Sequence, residues 1–304
     1  MARPFDSALP THEGDSRMKN SAQICHLTLR LHLFSSKVFP RRQIRKSDRV
    51  ATRVSHMPVD RMRWGAEEWQ FADLYMPDDP SPFEKGAGVP CVMLIHGGFW
   101  KEEYTLDLMQ PIAQDLAEAG VAAWNIEFKR WKDGDEGVWM DTLSDVLRAW
   151  GQLALLPGID IMRSMAMGHS AGGQLALILA AKAERKPWLA IAQAPLTDLI
   201  GADRAKLSDE GDAVRKWMGS SPEQASETWS QLNPIDHPPK TSVLLFHGEK
   251  DVDVPLIQSE TYARIMKAKG ADVQKIWLPG DHYDIIDVAS DDWLVQLNAI
   301  LDWL

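Results

Sequence analysis

Cysteine is scarce: Cys25 and Cys91 are the only two among 304 residues. Two cysteines give neither a disulfide framework nor zinc-site spacing, and they fit a reducing, cytoplasmic compartment. Long apolar runs are missing as well, and none approaches the ~18–20 residues that cross a bilayer. Net positive charge is also absent. The formal charge of −10 argues against a nucleic-acid or acidic-membrane binder, because such partners attract basic surfaces. The acidity reads as solubility. The chain shows no internal repeat and no low-complexity tract.

The charge is uneven. Residues 1–55 carry eleven Lys/Arg against four Asp/Glu, so the rest of the chain holds 22 against 39. Within this basic segment "ICHLTLRLHLFSSKVF" is the nearest thing to a targeting sequence. His26, Arg30 and His32 interrupt it, and Leu27, Leu29, Leu31 and Leu33 alternate as in a strand. The expected organisation is a basic extension over 1–55, disordered or a non-native start, followed by a single domain over 56–304.

From about residue 69 the chain settles into alternation. Apolar runs "FADLYM", "VPCVMLIH", "VAAWNIEF", "SMAMGHS", "WLAIAQAP", "TSVLLFHG" and "VQKIWLPG" are separated by stretches of helical spacing. Those stretches are 105–119, 139–155, 171–185, 256–269 and 291–304. Near-continuous apolar strands alternating with helices predict an α/β fold: a mostly parallel central sheet with helices on both faces. Such sheets bind ligands at the carboxyl ends of their strands. The interval 196–240 breaks the rhythm. It contains a helix near "DEGDAVRKWMG" and reads either as a small cap over a site or as a peripheral loop.

Gly168-His169-Ser170-Ala171-Gly172 fits G-x-S-x-G, after an apolar strand and at the start of an apolar helix. A sharp strand-to-helix turn exposes one side chain, and small neighbours make room for it. A serine hydroxyl needs a base to take its proton, and the base needs orienting. Asp251, with Asp253 as competitor, follows one later apolar strand, and His282 follows the next. The order Ser, Asp, His is the one expected of this architecture. His169, His237 and His247 read as structural. Asp281, Asp284, Asp287, Asp291 and Asp292 crowd around His282 without metal-ligand spacing, so they read as a solvated loop and helix start, and no metal is expected.

From about Gln70 onward the sequence resembles the α/β-hydrolase superfamily, closest to the small esterase and kynurenine formamidase-like (arylformamidase) group. The resemblance rests on His96-Gly97-Gly98-Phe99-Trp100, on "GHSAGGQLA", on "HGEKDVDVP" and on "GDHYD". It implies an α/β-hydrolase fold with Ser170 as nucleophile, Asp251 rather than Asp253 as acid, and His282 as base. It also implies an oxyanion hole built from the Gly98–Phe99 turn and Ala171, with no cofactor. Lipase-like relatives have a third glycine where this chain has Phe99.

Thirteen tryptophans are several-fold above the usual share of roughly one per hundred residues. Trp100, Trp131 and Trp217 follow strand ends or lie in the cap interval, where they are expected to wall an apolar substrate pocket. The resulting expectation is a serine hydrolase acting on a small carboxylic ester or activated amide, with oligomeric state left open. A prolyl-oligopeptidase-like peptidase ranks second, because 69 residues before the sheet cannot build the large gating domain those enzymes carry. A non-catalytic module of the same fold ranks third, since all three triad positions are filled.

Overall fold

Every residue of Cys91–Ile95 is apolar and buried. A strand without a polar face has to be covered on both sides, and that requirement sets the architecture. The computed structural model describes residues 59–81, 83 and 88–304. The basic extension expected over 1–55 lies outside the described residues.

Eight strands form one sheet among the described residues: β1 (Val59–Arg63), β2 (Phe71–Tyr75), β3 (Cys91–Ile95), β4 (Ala122–Ile126), β5 (Met165–His169), β6 (Ala190–Gln193), β7 (Val243–Gly248) and β8 (Val273–Leu278). Their spatial order is β1-β2-β4-β3-β5-β6-β7-β8. The pairings β1–β2 and β2–β4 are antiparallel. All others are parallel. The helices are α1 (Gln110–Glu118), α2 (Trp139–Gln152), α3 (Ala171–Lys182), α4 (Leu199–Arg204), α5 (Ala213–Met218), α6 (Ser226–Leu232), α7 (Ile257–Ala268) and α8 (Asp291–Leu301). This is the α/β-hydrolase fold expected from the sequence.

The pleat of β3 divides the core. Cys91, Met93 and Ile95 pack with α2 and α3 residues such as Val146 and Leu175. Val92 and Leu94 point to the other face and meet Ile112, Leu116, Trp293 and Leu297 of α1 and α8. Helix α7 joins the α3 side, where Tyr262, Ala263 and Met266 cover Val243 and Leu245.

Two parts of the chain differ from the sequence reading. Strand β1, "VDRMR", is exposed throughout and has no apolar run to signal it. It is held instead by its register: Arg61 lies opposite Asp73 and donates to both carboxylate oxygens at 2.7 and 2.8 Å. The interval 196–240 holds three short helices, α4, α5 and α6, of which only α5 has enough periodicity to be read in advance. Its Lys206–Asp209 segment forms one wall of the cavity described below.

Leu94 is fully buried at the centre of the sheet. Leu94→Ala is expected to lower the unfolding free energy by about 2–5 kcal/mol, measured by chemical denaturation.

Candidate active site

Strand β5 and helix α3 are joined by a single residue, Ser170, with φ +55° and ψ −117°. A non-glycine residue held there costs ~1–3 kcal/mol. The surroundings offset it. A Cβ on Gly172 would lie 2.1 Å from the Ile95 carbonyl oxygen, and one on Gly168 would lie 2.1 Å from the Gly172 oxygen. Only glycine lets these backbones approach so closely. The Ser170 N–H donates to the Gln193 carbonyl at 2.8 Å, which ties the turn to β6. Helix α3 is buried along its whole length except Lys182. Its positive end points at Ser170, and Ala171, its first residue, has an N–H without an intrahelical acceptor.

Asp251 sits in the turn after β7. One of its oxygens, Oδ1, accepts the N–H groups of Asp253 and Val254 at 2.9 and 2.8 Å. The other, Oδ2, accepts from His282 Nδ1 at 2.6 Å. Burial alone would raise the Asp251 pKa, but hydrogen bonds from His247 and His282 hold the carboxyl far below the usual carboxylate range. The turn is bound to the His282 loop by Glu249 N–H to Leu278 O at 2.7 Å and Lys250 N–H to Gly280 O at 3.0 Å.

The acidic cluster builds the His282 loop. Asp281 Oδ1 accepts the N–H groups of Tyr283 and Asp284 at 2.8 and 3.0 Å. Asp284 accepts from Asp281 N–H at 3.0 Å and Asp292 from Gly280 N–H at 2.8 Å. From the β5 side, His169 Nε2 meets the His282 carbonyl oxygen at 3.0 Å, and the two imidazole rings lie 4.5 Å apart. Burial first, then the neighbouring His282, push the His169 pKa well below its ordinary value. Neutral His169 therefore donates from Nε2.

The turn after β3 runs through three successive residues at positive φ: Gly98 at +99°, Phe99 at +50° and Trp100 at +55°. At Gly98 a Cβ would lie 2.3 Å from the Tyr104 ring. Two aromatics in left-handed backbone need outside support, and the tryptophans supply it. Trp131 donates its indole N–H to Phe99 O at 2.9 Å and its backbone N–H to Trp100 O at 2.9 Å. Trp100 stacks on Trp217 of α5 with centroids 4.1 Å apart and planes 4° apart. Trp217 in turn donates to Thr142 Oγ1 of α2 at 3.0 Å. Below the turn, buried His96 bridges Gly97 O at 2.8 Å and Glu127 Oε1 at 2.9 Å.

These contacts correct one expectation. Trp100, Trp131 and Trp217 do not line the cavity that holds Ser170 and His282. They are buried behind the turn and brace it.

Ser170 and His282 line one cavity of about 270 Å³, together with Gly98 and Phe99. Tyr104, Leu108, His169, Val252, Tyr283 and Ile286 also line it, with Lys206–Asp209 from the 196–240 interval. Asp253, the sequence competitor for the acid, lines this cavity, whereas Asp251 is hydrogen-bonded to His282 Nδ1 and does not line it. A second cavity of about 330 Å³ lies against β1 and the loop after β4. Its Arg61, Arg130 and Lys129 are paired with Asp73, Glu127 and Asp135.

A strand–serine–helix elbow after β5, a carboxylate–imidazole pair at the ends of β7 and β8 and a backbone turn facing them define a serine hydrolase of the α/β-hydrolase type. Residues 126–304 match the model of the prolyl oligopeptidase family, and the chain belongs to that family. The match includes Ser170, Asp251 and His282; the turn after β3 lies before it.

Two curated relatives are acylamino-acid-releasing enzymes. That of Rattus norvegicus is 26% identical over 278 residues, covering 83% of this chain and 36% of its own length. That of Arabidopsis thaliana is 30% identical over 148 residues, covering 46% of this chain and 19% of its own. The chain thus spans about a third or less of the curated relatives it matches. Among solved structures, an inhibited esterase B from Lactobacillus rhamnosis superposes with a TM-score of 0.65 at 18% identity, over 84% of this chain and 88% of that one. The Pyrococcus horikoshii acylaminoacyl peptidase gives 0.64 at 17% identity, over 81% of this chain and 41% of that one. At these identities the likeness is one of fold.

The sequence reading missed the cavity walls at Tyr104, Leu108, Tyr283 and Lys206–Asp209. Tyr283 adjoins His282 in the chain and was open to detection; the Lys206–Asp209 residues carry no periodic signal.

Trp217→Ala is expected to lower stability by about 3–5 kcal/mol and to reduce kcat/KM in protein that remains folded, although Trp217 is outside the cavity. Denaturation and steady-state kinetics on one preparation separate the two effects. His169 gives a pH prediction. Its folded pKa is depressed, so its contribution is full above the unfolded value near 6.5 and is lost as pH falls from there toward the folded value. His169→Gln, which retains a donor and does not titrate, is expected to flatten the fall of Tm below about pH 6.5.

Proposed function

We propose that the protein hydrolyses a small carboxylic ester or an activated amide, such as an N-formyl aryl amine, through an acyl-enzyme on Ser170. The observation that carries this reading is the 2.6 Å bond from His282 Nδ1 to Asp251, beside a serine held on a left-handed turn in the same cavity. Ser170 Oγ attacks the carbonyl carbon while His282 Nε2 takes its proton, and Asp251 fixes the tautomer and stabilises the charged ring. N–H groups of the Gly98–Phe99 turn and of Ala171 hold the oxyanion. His282 then passes the proton to the departing alcohol or amine. A water, deprotonated by His282, attacks the acyl carbon and restores the serine.

Size favours a small substrate. The cavity of about 270 Å³ lies just below the usual range of ligand pockets, ~300–1,000 Å³. Phe99, Leu108 and Ile286 give it an apolar side, suited to a short acyl chain or one aromatic ring. A second reading, removal of an N-acylated amino acid from a peptide, is supported by the family match and by the two relatives.

A fluorophosphonate probe is expected to label the wild type and not Ser170→Ala. Ser170→Ala is expected to lower kcat by about 10⁴–10⁶-fold, and Asp251→Asn by about 10⁴-fold. Rates on p-nitrophenyl acetate, a longer-chain ester, N-formylkynurenine and an N-acetylamino-acid anilide decide the substrate class. Higher kcat/KM on the acetate or the formamide supports the first reading. A clear preference for the acylamino anilide replaces it with the second. Equal labelling of Ser170→Ala rejects this nucleophile.

A further inference from the structure

Two imidazoles approach the Asp251 carboxylate, and only one of them faces the cavity. The other is His247, near the end of β7 and fully buried after the apolar stretch Val243–Phe246. A polar ring in such a place is costly unless its nitrogens are used. Both are. Nε2 lies 2.8 Å from Val254 O and 3.2 Å from Asp251 Oδ2. A carbonyl oxygen only accepts, so Nε2 carries the proton and shares it between the two oxygens. In the neutral ring Nδ1 is then an acceptor, and the Ser259 hydroxyl lies 2.8 Å from it. Ser259 is buried in the first turn of α7, which Tyr262 and Met266 fix against β7.

The count of donors gives this arrangement a purpose. A carboxylate offers about four lone-pair sites. Here four N–H groups surround it: two backbone groups at 2.8 and 2.9 Å on Oδ1, and His282 at 2.6 Å and His247 at 3.2 Å on Oδ2. The Asp251 side chain has no solvent exposure, so water cannot replace any of the four. Rotation about the terminal bond of an aspartate is otherwise soft and nearly two-fold.

We infer that His247, oriented by Ser259, is a positioning residue for the acid. It holds the Asp251 carboxylate in the rotation that points an oxygen at His282 Nδ1 and carries part of the charge on that oxygen. The inference rests on the reading of Ser170, His282 and Asp251 given above and extends that chain backward to Ser259. The groups facing this pair come from several elements: His282, Asp281 and Tyr283 from the loop after β8, Asp253 from the acid's own turn, and His169 from β5. Removing the His247 donor concentrates the carboxylate's charge on its remaining bond to His282, which favours the protonated imidazole. The acid limb of activity is therefore displaced to higher pH.

The test follows the pH dependence of fluorophosphonate labelling at Ser170, together with kcat and KM on p-nitrophenyl acetate, in the full chain. His247→Phe is expected to lower kcat roughly 10–100-fold, the size seen when a supporting residue behind a functional group is lost, with KM changed by less than about twofold. Its acid limb is expected to move upward by about half a pH unit or more. His247→Gln, which keeps an amide donor toward the carboxylate, is expected to recover most of both effects. A wild-type pH profile in folded His247→Phe overturns the inference, as does a rate loss with an unmoved profile that His247→Gln fails to rescue. If His247→Phe does not fold, Ser259→Ala carries the test. It leaves the ring in place and is expected to shift the limb in the same direction by less, and an unshifted limb overturns the inference. Wild-type labelling that survives in Ser170→Ala would instead remove the underlying reading.

Discussion

The close approach of two backbones at the carboxyl ends of β3 and β5 is the constraint on which the site depends. Gly172 has no room for a Cβ because the Ile95 carbonyl occupies the space, and Gly97 faces the His169 ring and Ser170 Cβ in the same way. The sheet brings the two strands side by side, and the missing side chains let the turns beyond them touch. Each turn then adopts backbone that its own residues disfavour: left-handed at Ser170 on one side, and at Phe99 and Trp100 on the other. Such strain persists only where the surroundings over-determine it. Here they include the Gln193 carbonyl, the Trp131 indole and the Trp100–Trp217 stack.

Around this contact the chain arranges polar groups in an otherwise apolar frame. Donors surround Asp251, and its carboxyl stays ionised although it is buried. The Glu127 carboxyl behaves alike: burial would raise its pKa, but His96 and Arg130 bring it below the ordinary value. The two buried carboxylates hold the turns after β7 and β3 respectively. Buried polar groups of this kind are stable only when fully satisfied, so both turns are rigid for the same reason.

Much of this was legible in the sequence, and the boundary follows physical lines. Strands β2 to β8 are apolar runs between turn signals, so periodicity reveals them, whereas β1 is polar and depends on a partner twelve residues away. Ser170, Asp251 and His282 stand at strand ends in order, which is a local signal. The tryptophans failed as pocket markers for a related reason. A strand-end position says that a residue is near the site but not on which side of the backbone it lies. Positive φ at Phe99 and Trp100 turns the Trp100 ring away from the cavity and into the core, and nothing in "HGGFW" announces that reversal. His247 shows the same limit. Its spacing to Asp251 is readable, but the sharing of one proton between two oxygens is a property of the folded turn.

The Trp100–Trp217 stack also bears on how this protein can change over evolutionary time. In many enzymes the loops around a site behave as replaceable parts, exchanged without disturbing the scaffold. Here helix α5, inside the 196–240 interval, supports the turn after β3 that borders the Ser170 cavity, while the neighbouring Lys206–Asp209 segment shapes that cavity. Selection for a new substrate is free to act on Lys206–Asp209. A wholesale exchange of the interval removes the ring under Trp100 as well. Substitution within Lys206–Asp209 keeps that ring in place.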